Sequence, residues 1–331
     1  MTPADLSRTV VRAVRTAVDE GALRVAVPES VEVGRPRPGG QGDYATNAAL
    51  QLAGPAGMPP RAVAEALRER IARIAGAAGI RTVEITGPGF LNFTLAGDGS
   101  AELVRTVLAQ GRGYGHGDAL AGTDVPLAPA DEPRAAVVTD AVIRLLRSQG
   151  AHATLTPGAP EALRVVPLPA GAGDVVARIG ADAARWGMLR PAAHDHPTTG
   201  DELLIQRESN PLFRIRYARA RSLALTRNAH DLGFRSSYEG IADTTAPALL
   251  AALADHPAVI EAAARHRAPD RLARHLVTIA DALLDLLPTV LPIGDEKPSA
   301  AHRSRLALAE AAGTVLAGGL SLLGISAPEF V

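Results

Sequence analysis

Residues 210–222 read NPLFRIRYARARS, and this stretch decides how the C-terminal part of the chain is built. Phe213, Tyr217, Ala220 and Ala224 recur at helical spacing, which predicts a helix carrying those residues as one stripe. From Arg207 to Arg235 seven arginines (207, 214, 216, 219, 221, 227 and 235) meet only two acids, Glu208 and Asp231, a local charge of +5. Arg214 and Arg221 lie seven apart and share a face; Arg216 and Arg219 lie three apart and share another, with Tyr217 between them. Guanidinium groups suit phosphates, and planar rings suit unstacked bases. A solvated helix face accounts for the same charge equally well, so charge alone leaves both readings open.

Outward toward the C-terminus the pattern stays helical. Leu272, Leu276, Ile279, Leu283 and Leu286 form one apolar stripe, and Leu306, Ala309, Gly313, Leu316, Leu320 and Leu323 form another, which predicts an all-α bundle over 201–331. Toward the N-terminus, residues 116–200 are rich in Ala, Pro and Gly. They hold one good helix (Val138, Val142, Leu145, Leu146), an apolar run from Ala162 to Leu168, and a second helical pattern, Ile179 to Leu189, around the only tryptophan, Trp186. This reads as a reduced α/β lobe with no room for a doubly wound nucleotide domain.

Residues 1–115 predict an α+β domain. Leu6, Val10, Val14 and Val18 mark a first helix that stops at Gly21. The Pro/Gly-rich GRPRPGG (34–40) leads to Gln41-Gly42-Asp43-Tyr44, and TNAALQLA reads as a short helix capped by Asp43 or Thr46 that ends before Gly54-Pro55. Pro59-Pro60 open a helix with Val63, Leu67, Ile71 and Ile74 on one side; Val83 and Ile85 alternate in a strand, and Gly87-Pro88-Gly89 turns the chain. In the next strand Leu91, Phe93 and Leu95 share one face, leaving Phe90, Asn92 and Thr94 on the other. A helix from about Ser100 to Gln110 closes the domain at Gly111.

Composition sets the limits. The 331 residues allow about two or three domains. With 47% hydrophobic residues, 21% charged residues and a mean hydropathy of +0.09, the chain is expected to fold throughout. No apolar run is long enough for a bilayer span, and the N-terminus carries Asp5 and Arg8 with no small-residue cleavage site, so a cytoplasmic protein without a membrane partner is expected. There is no cysteine, which excludes disulfides, thiolate zinc sites and thiol nucleophiles. Lys297 is the only lysine, so a Walker-type phosphate loop cannot be written. Net charge is −1, and any polyanion site must come from locally clustered arginine.

Three further motifs each admit a plain reading. Phe90 and Asn92 are either a ring and an amide for an extruded base or a strand face covered by a helix. His194-Asp195-His196 has metal-ligand residues but reads as a solvated loop ending in Pro197, so no metal is expected. Gly111, Gly113, Gly115 and Gly117 fail the G-x-G-x-x-G fingerprint at His116 and read as a linker, so no cofactor is expected.

Three segments, GDYATNAALQLA (42–53), GPGFLNFTL (87–95) and NPLFRIRYARARS (210–222), occur in the order found in arginyl-tRNA synthetases, and LLGISAPEFV resembles that family's C-terminus. GADAARWGMLR (180–190) looks like its junction between catalytic and anticodon domains. The resemblance implies a tRNA-elbow domain over 1–115, a remnant of the class I catalytic domain over 116–200, and a DALR-type anticodon-binding domain over 201–331. It implies that Phe90 and Asn92 touch the tRNA elbow, and that Arg214, Tyr217, Arg219 and Arg221 serve the anticodon side. Tyr217, Ala218, Ala220 and Arg221 fit the family's Tyr-Ala-x-Ala-Arg element; Arg214 stands where the family usually has an aromatic.

The family's two ATP signatures have no counterpart. Where a His-x-Gly-His turn belongs the chain reads VPLAPADEPR (125–134), although RAAVVTDAVIRLLRSQG (134–150) looks like the helix after it. Where a Met-Ser-Lys loop belongs it reads VPLPAGAG (166–173). Adenylate formation needs cations and donors around the phosphates, and losing one such donor typically costs about 10²–10³ in rate. The expectation is a tRNA-binding relative, with tRNA-Arg as one partner, no DNA, and no aminoacylation. Two alternatives remain: transfer of arginine or support of a synthetase in trans, and a scaffold docking on a synthetase or a ribosome.

Overall fold

Leu6, Val10 and Val14 fall on one side of α1 (Pro3–Asp19) and are fully buried. Thr2 starts this helix by a capping box: its hydroxyl accepts from the Asp5 amide, and the Asp5 carboxylate accepts from the Thr2 amide at 2.8 Å. The coordinates are those of a computed structural model and describe residues 1–36, 42–76, 79–96, 99–170, 174–238 and 246–330. Residues 37–40 of GRPRPGG, Gln41, residues 171–173 of VPLPAGAG and Val331 lie outside the described residues. The chain divides into two compact units, Met1–Leu103 and Val104–Val331.

In the first unit, β1 (Val33–Gly34), β2 (Tyr44–Thr46), β3 (Ile80–Thr86) and β4 (Phe90–Leu95) form an antiparallel sheet in the order β1-β2-β4-β3. α1, α2 (Ala48–Ala56) and α3 (Pro60–Ile74) supply the rest of a core that includes Val63, Leu67, Ile71, Leu91 and Phe93. The Gly42-Asp43 pair locks β2 onto β4. Gly42 has φ +84, and a Cβ there would sit 2.7 Å from the Phe93 carbonyl. The Asp43 carboxylate accepts from the Leu95 amide at 2.8 Å.

The expected ends of α2 need correction. Asp43 is thus engaged in the sheet, while Thr46 Oγ1 donates to the Glu32 carbonyl and accepts from the Ala48 amide at 3.3 Å. Thr46 therefore serves the first amide of the helix, although the N-cap position itself is Asn47, with no side-chain cap bond. The helix runs on through Gly54 and Pro55 and stops at Gly57, φ +64. Pro55 falls in the last turn, where the missing N–H removes a single bond to an exposed carbonyl segment.

In the second unit, which begins within α4 (Gly99–Gln110), residues 116–200 and 201–331 pack together. β5 (Asp124–Leu127) and β6 (His152–Leu155) pair in parallel, joined by α5 (Pro133–Ser148), so the middle stretch keeps one β-α-β unit. α6 (Val175–Ile179) and α7 (Ala181–Leu189) follow, with Trp186 fully buried. The bundle consists of α8 (Pro211–Asp231), α9 (Pro247–Arg265), α10 (Pro269–Leu286) and α11 (Ala300–Leu322). α9 has no counterpart in the periodicity reading, because His256-Pro257 sits inside it and alanines dilute its stripe of Leu249, Leu253 and Ile260.

The glycine run 111–117 is no linker. Tyr114 is buried, its hydroxyl donates to the Leu253 carbonyl at 3.0 Å, and its ring stacks on His256. Gln149 Nε2 donates to the Gly115 carbonyl, and the Gly117 amide to the Ser148 carbonyl. Gly115 has φ +90 and lies so close to Ile260 that a side chain would clash.

Candidate nucleic-acid interface

Asn210 sets α8. Its side-chain oxygen accepts from the Leu212 and Phe213 amides, its Nδ2 donates to the Leu203 and Ile205 carbonyls, and Pro211 occupies the first helical position. The buried side of the helix is Leu212, Ile215, Ala218, Arg219, Ser222, Leu225 and Ala229. The stripe expected from Phe213, Tyr217, Ala220 and Ala224 is therefore not the packed face; Tyr217 is 40% exposed and the other three are half-buried. Two apolar stripes compete on this helix, and the one that meets α11 and α10 wins the core.

The basic run is largely committed to the protein itself. Arg214 pairs with Asp281 of α10 at 3.3 Å. Arg216 pairs with Asp182 of α7 and donates to Ser326 Oγ at 3.0 Å. Arg219 is 5% exposed and donates to the Pro328 carbonyl, and burial pulls its pKa below the usual arginine value. The Arg227 guanidinium lies 5.0 Å from the centre of the Phe330 ring. Of the four residues expected on the anticodon side, Arg214 and Arg219 are thus tied inward, while Tyr217 and Arg221 are exposed one helical turn apart. The Phe213 and Tyr217 rings stack at 5.7 Å. The outcome is an aromatic and alanine face with Arg221 at its side, shaped for planar bases more than for a row of phosphates.

In the first unit Phe90 is 36% exposed, whereas Asn92 is buried at 5% and its Nδ2 donates to Thr86 Oγ1 at 2.6 Å. The strand presents the ring and holds the amide in the sheet, beside Glu84 of β3 and Ala45 of β2. His194 and His196 are both exposed in a loop.

The β5-to-α5 connection has a distinct chemistry. A strand leading to a helix N-terminus is a ready anion site. Here Glu132 caps α5, accepting from the Ala135 amide at 2.7 Å and from the Leu168 amide at 3.0 Å. Burial works to raise the Glu132 pKa, but those amides and Arg134 outweigh it and hold the carboxyl below its ordinary value. Arg134 is fully buried and donates to the carbonyls of Met188, Val166, Asp195, Pro191 and Ala192 at 2.7–3.2 Å. Neither the carboxylate at the helix end nor the five-carbonyl role of Arg134 follows from the periodicity reading.

Residues 5–95 match the arginyl tRNA synthetase N terminal domain, and residues 215–331 match the DALR anticodon binding domain. The arginine–tRNA ligase of Frankia alni is 46% identical over 160 residues, 45% of this chain and 28% of the relative. That of Renibacterium salmoninarum is 42% identical over 167 residues, 46% of this chain and 30% of the relative. In these alignments the chain spans less than a third of either relative. Among solved structures, Thermus thermophilus arginyl-tRNA synthetase aligns with TM-score 0.69 at 14% identity, and Plasmodium falciparum arginyl-tRNA synthetase with TM-score 0.64 at 8% identity, each covering 100% of both chains. At those identities the likeness is one of fold.

An α+β N-terminal domain and a helical anticodon-binding domain in one chain define the architecture of an aminoacyl-tRNA synthetase type. The chain belongs to the arginyl-tRNA synthetase family.

Proposed function

We propose that this chain is a cytoplasmic tRNA-binding protein, with tRNA-Arg as its first candidate ligand, that does not aminoacylate. The observation that carries the RNA half is the outward face of α8: Phe213 stacked on Tyr217, with Arg221 exposed beside them. Stacking tolerates any base, and a guanidinium nearby supplies a phosphate contact. Phe90 in the first unit is the second element of the reading, serving the elbow through its exposed ring. Loss of ligase chemistry is supported by the α5 N-terminus, where the Glu132 carboxylate takes the place a phosphate would need.

Titration of labelled tRNA at two salt concentrations tests the reading. Replacing Tyr217 and Arg221 together by alanine is expected to weaken binding at least about tenfold, since one lost stack is worth about 1–3 kcal/mol. Because Arg214, Arg216 and Arg219 are engaged internally, α8 should add only about one or two counterions to the salt slope. Unchanged affinity in the double variant, or arginine-dependent exchange of pyrophosphate into ATP, overturns the corresponding half.

A further inference from the structure

We propose that the second unit holds a phosphate-binding site in the cavity between the loop after α7 and the α9–α10 turn, apart from the outward face of α8. The cavity measures about 470 Å³ and is lined by Ala192, Ala193, Arg267, Arg271 and Arg274, with Asp195 and Asp270 among its acids. Behind the loop lies Arg134, whose charge meets five carbonyls and no direct carboxylate. In a planar trans peptide the N–H points opposite to its carbonyl, and the described residues contain no cis bond. Turning the Pro191 and Ala192 carbonyls onto Arg134 therefore turns the Ala192 and Ala193 amides away from it, and neither amide has an acceptor among the described residues. Two successive outward amides form a concavity suited to an oxyanion.

The opposite wall is cationic. α10 starts without a side-chain cap, and the Arg271 side chain in its first turn is exposed with no partner among the described residues. Arg274 holds Asp270, which is 5% exposed, and keeps much of its own surface free. Arg267 is the one non-glycine residue among those described with a left-handed φ, +53, a conformation that costs an arginine strain. It anchors the turn through Glu161 at 3.0 Å. Asp195 sits beside His194. Arg267 and Arg274 are each paired with a carboxylate, Glu161 and Asp270, which leaves Arg271 as the lining cation without a side-chain partner among the described residues, able to take one more negative group. A phosphate fits that group, and the apolar lining from Val138, Leu189 and Pro269 leaves space for the molecule that carries it.

The test is titration of the full chain with inorganic phosphate and then pyrophosphate, following the backbone amide signals of Ala192, Ala193 and Arg271. Saturable shifts at those amides are expected, with affinity about tenfold weaker in Arg271→Ala and none in Arg271→Glu. The Arg271 side chain has no partner to lose among the described residues, so both variants should keep the wild-type circular dichroism. Absence of saturable shifts, or equal affinity in Arg271→Glu, overturns the site. Tighter binding of adenosine monophosphate than of phosphate supports it with a small phosphorylated molecule as source; tighter binding of 5′-phosphorylated than dephosphorylated RNA supports it with an RNA end. Retention of the phosphate shifts in the Tyr217→Ala, Arg221→Ala double variant separates this site from the α8 face.

Discussion

Arg134 shows what a buried cation needs. Its fork is planar and meets five carbonyl oxygens, so Arg134→Leu leaves acceptors unsatisfied in a dry interior and is expected to cost about 3–5 kcal/mol in urea unfolding. Arg134→Lys should recover only part, since an ammonium cannot span the set. The buried imidazoles govern acid behaviour. His256 and His275 stack at 5.4 Å, with Tyr114 on the far side of His256. Burial pushes His256 well below its ordinary pKa, aided by the neighbouring His275 and His116. Burial likewise lowers His275 to about 4, against a bond to the Ala252 carbonyl that works upward. Both rings are neutral when folded at pH 7, and the unfolded chain binds protons first as pH falls below about 6.5. Stability should therefore be intact above 6.5 and drop between 6.5 and about 4, by up to about 3 kcal/mol for His275, a slope that His275→Asn flattens in pH-dependent melting. Legibility in the sequence differs sharply between neighbours here. Tyr217 and Arg221 stand exposed, as a surface residue must, but Arg219 finds its acceptor 109 positions away. No local pattern encodes that partner.

At the scale of elements, periodicity located α1, α3, α5 and α10 because each has one dominant apolar stripe, and α11 because it is apolar on nearly every side. It misjudged α8, where two stripes compete, and passed over α9, where alanine and an internal proline blur the period. The glycines 111–117 misled for a related reason: a residue without a side chain gives no periodic signal, yet it permits the closest packing. The same holds in α11, where a Cβ on Gly318 would lie 2.5 Å from the Arg112 carbonyl. Helix propensity alone favours alanine by about 1 kcal/mol. The contact is with backbone and cannot swing aside, so Gly318→Ala is expected to lower stability by about 1–3 kcal/mol, read as a fall in melting temperature.

At the scale of the whole chain, a net charge of −1 conceals how the arginines are used. Many serve as internal ties, and the segment after α11 collects several of them: Leu323 accepts from Arg185 at 2.5 Å, Ser326 and Pro328 accept from Arg216 and Arg219, and Phe330 lies against Arg227. Removing residues 326–331 would take the Pro328 acceptor from the nearly buried Arg219 guanidinium and uncover those of Arg216 and Arg227. The shortened chain is expected to elute later from heparin while melting earlier, so stronger capture of polyanions by such a variant would report released side chains and not a repaired binding surface.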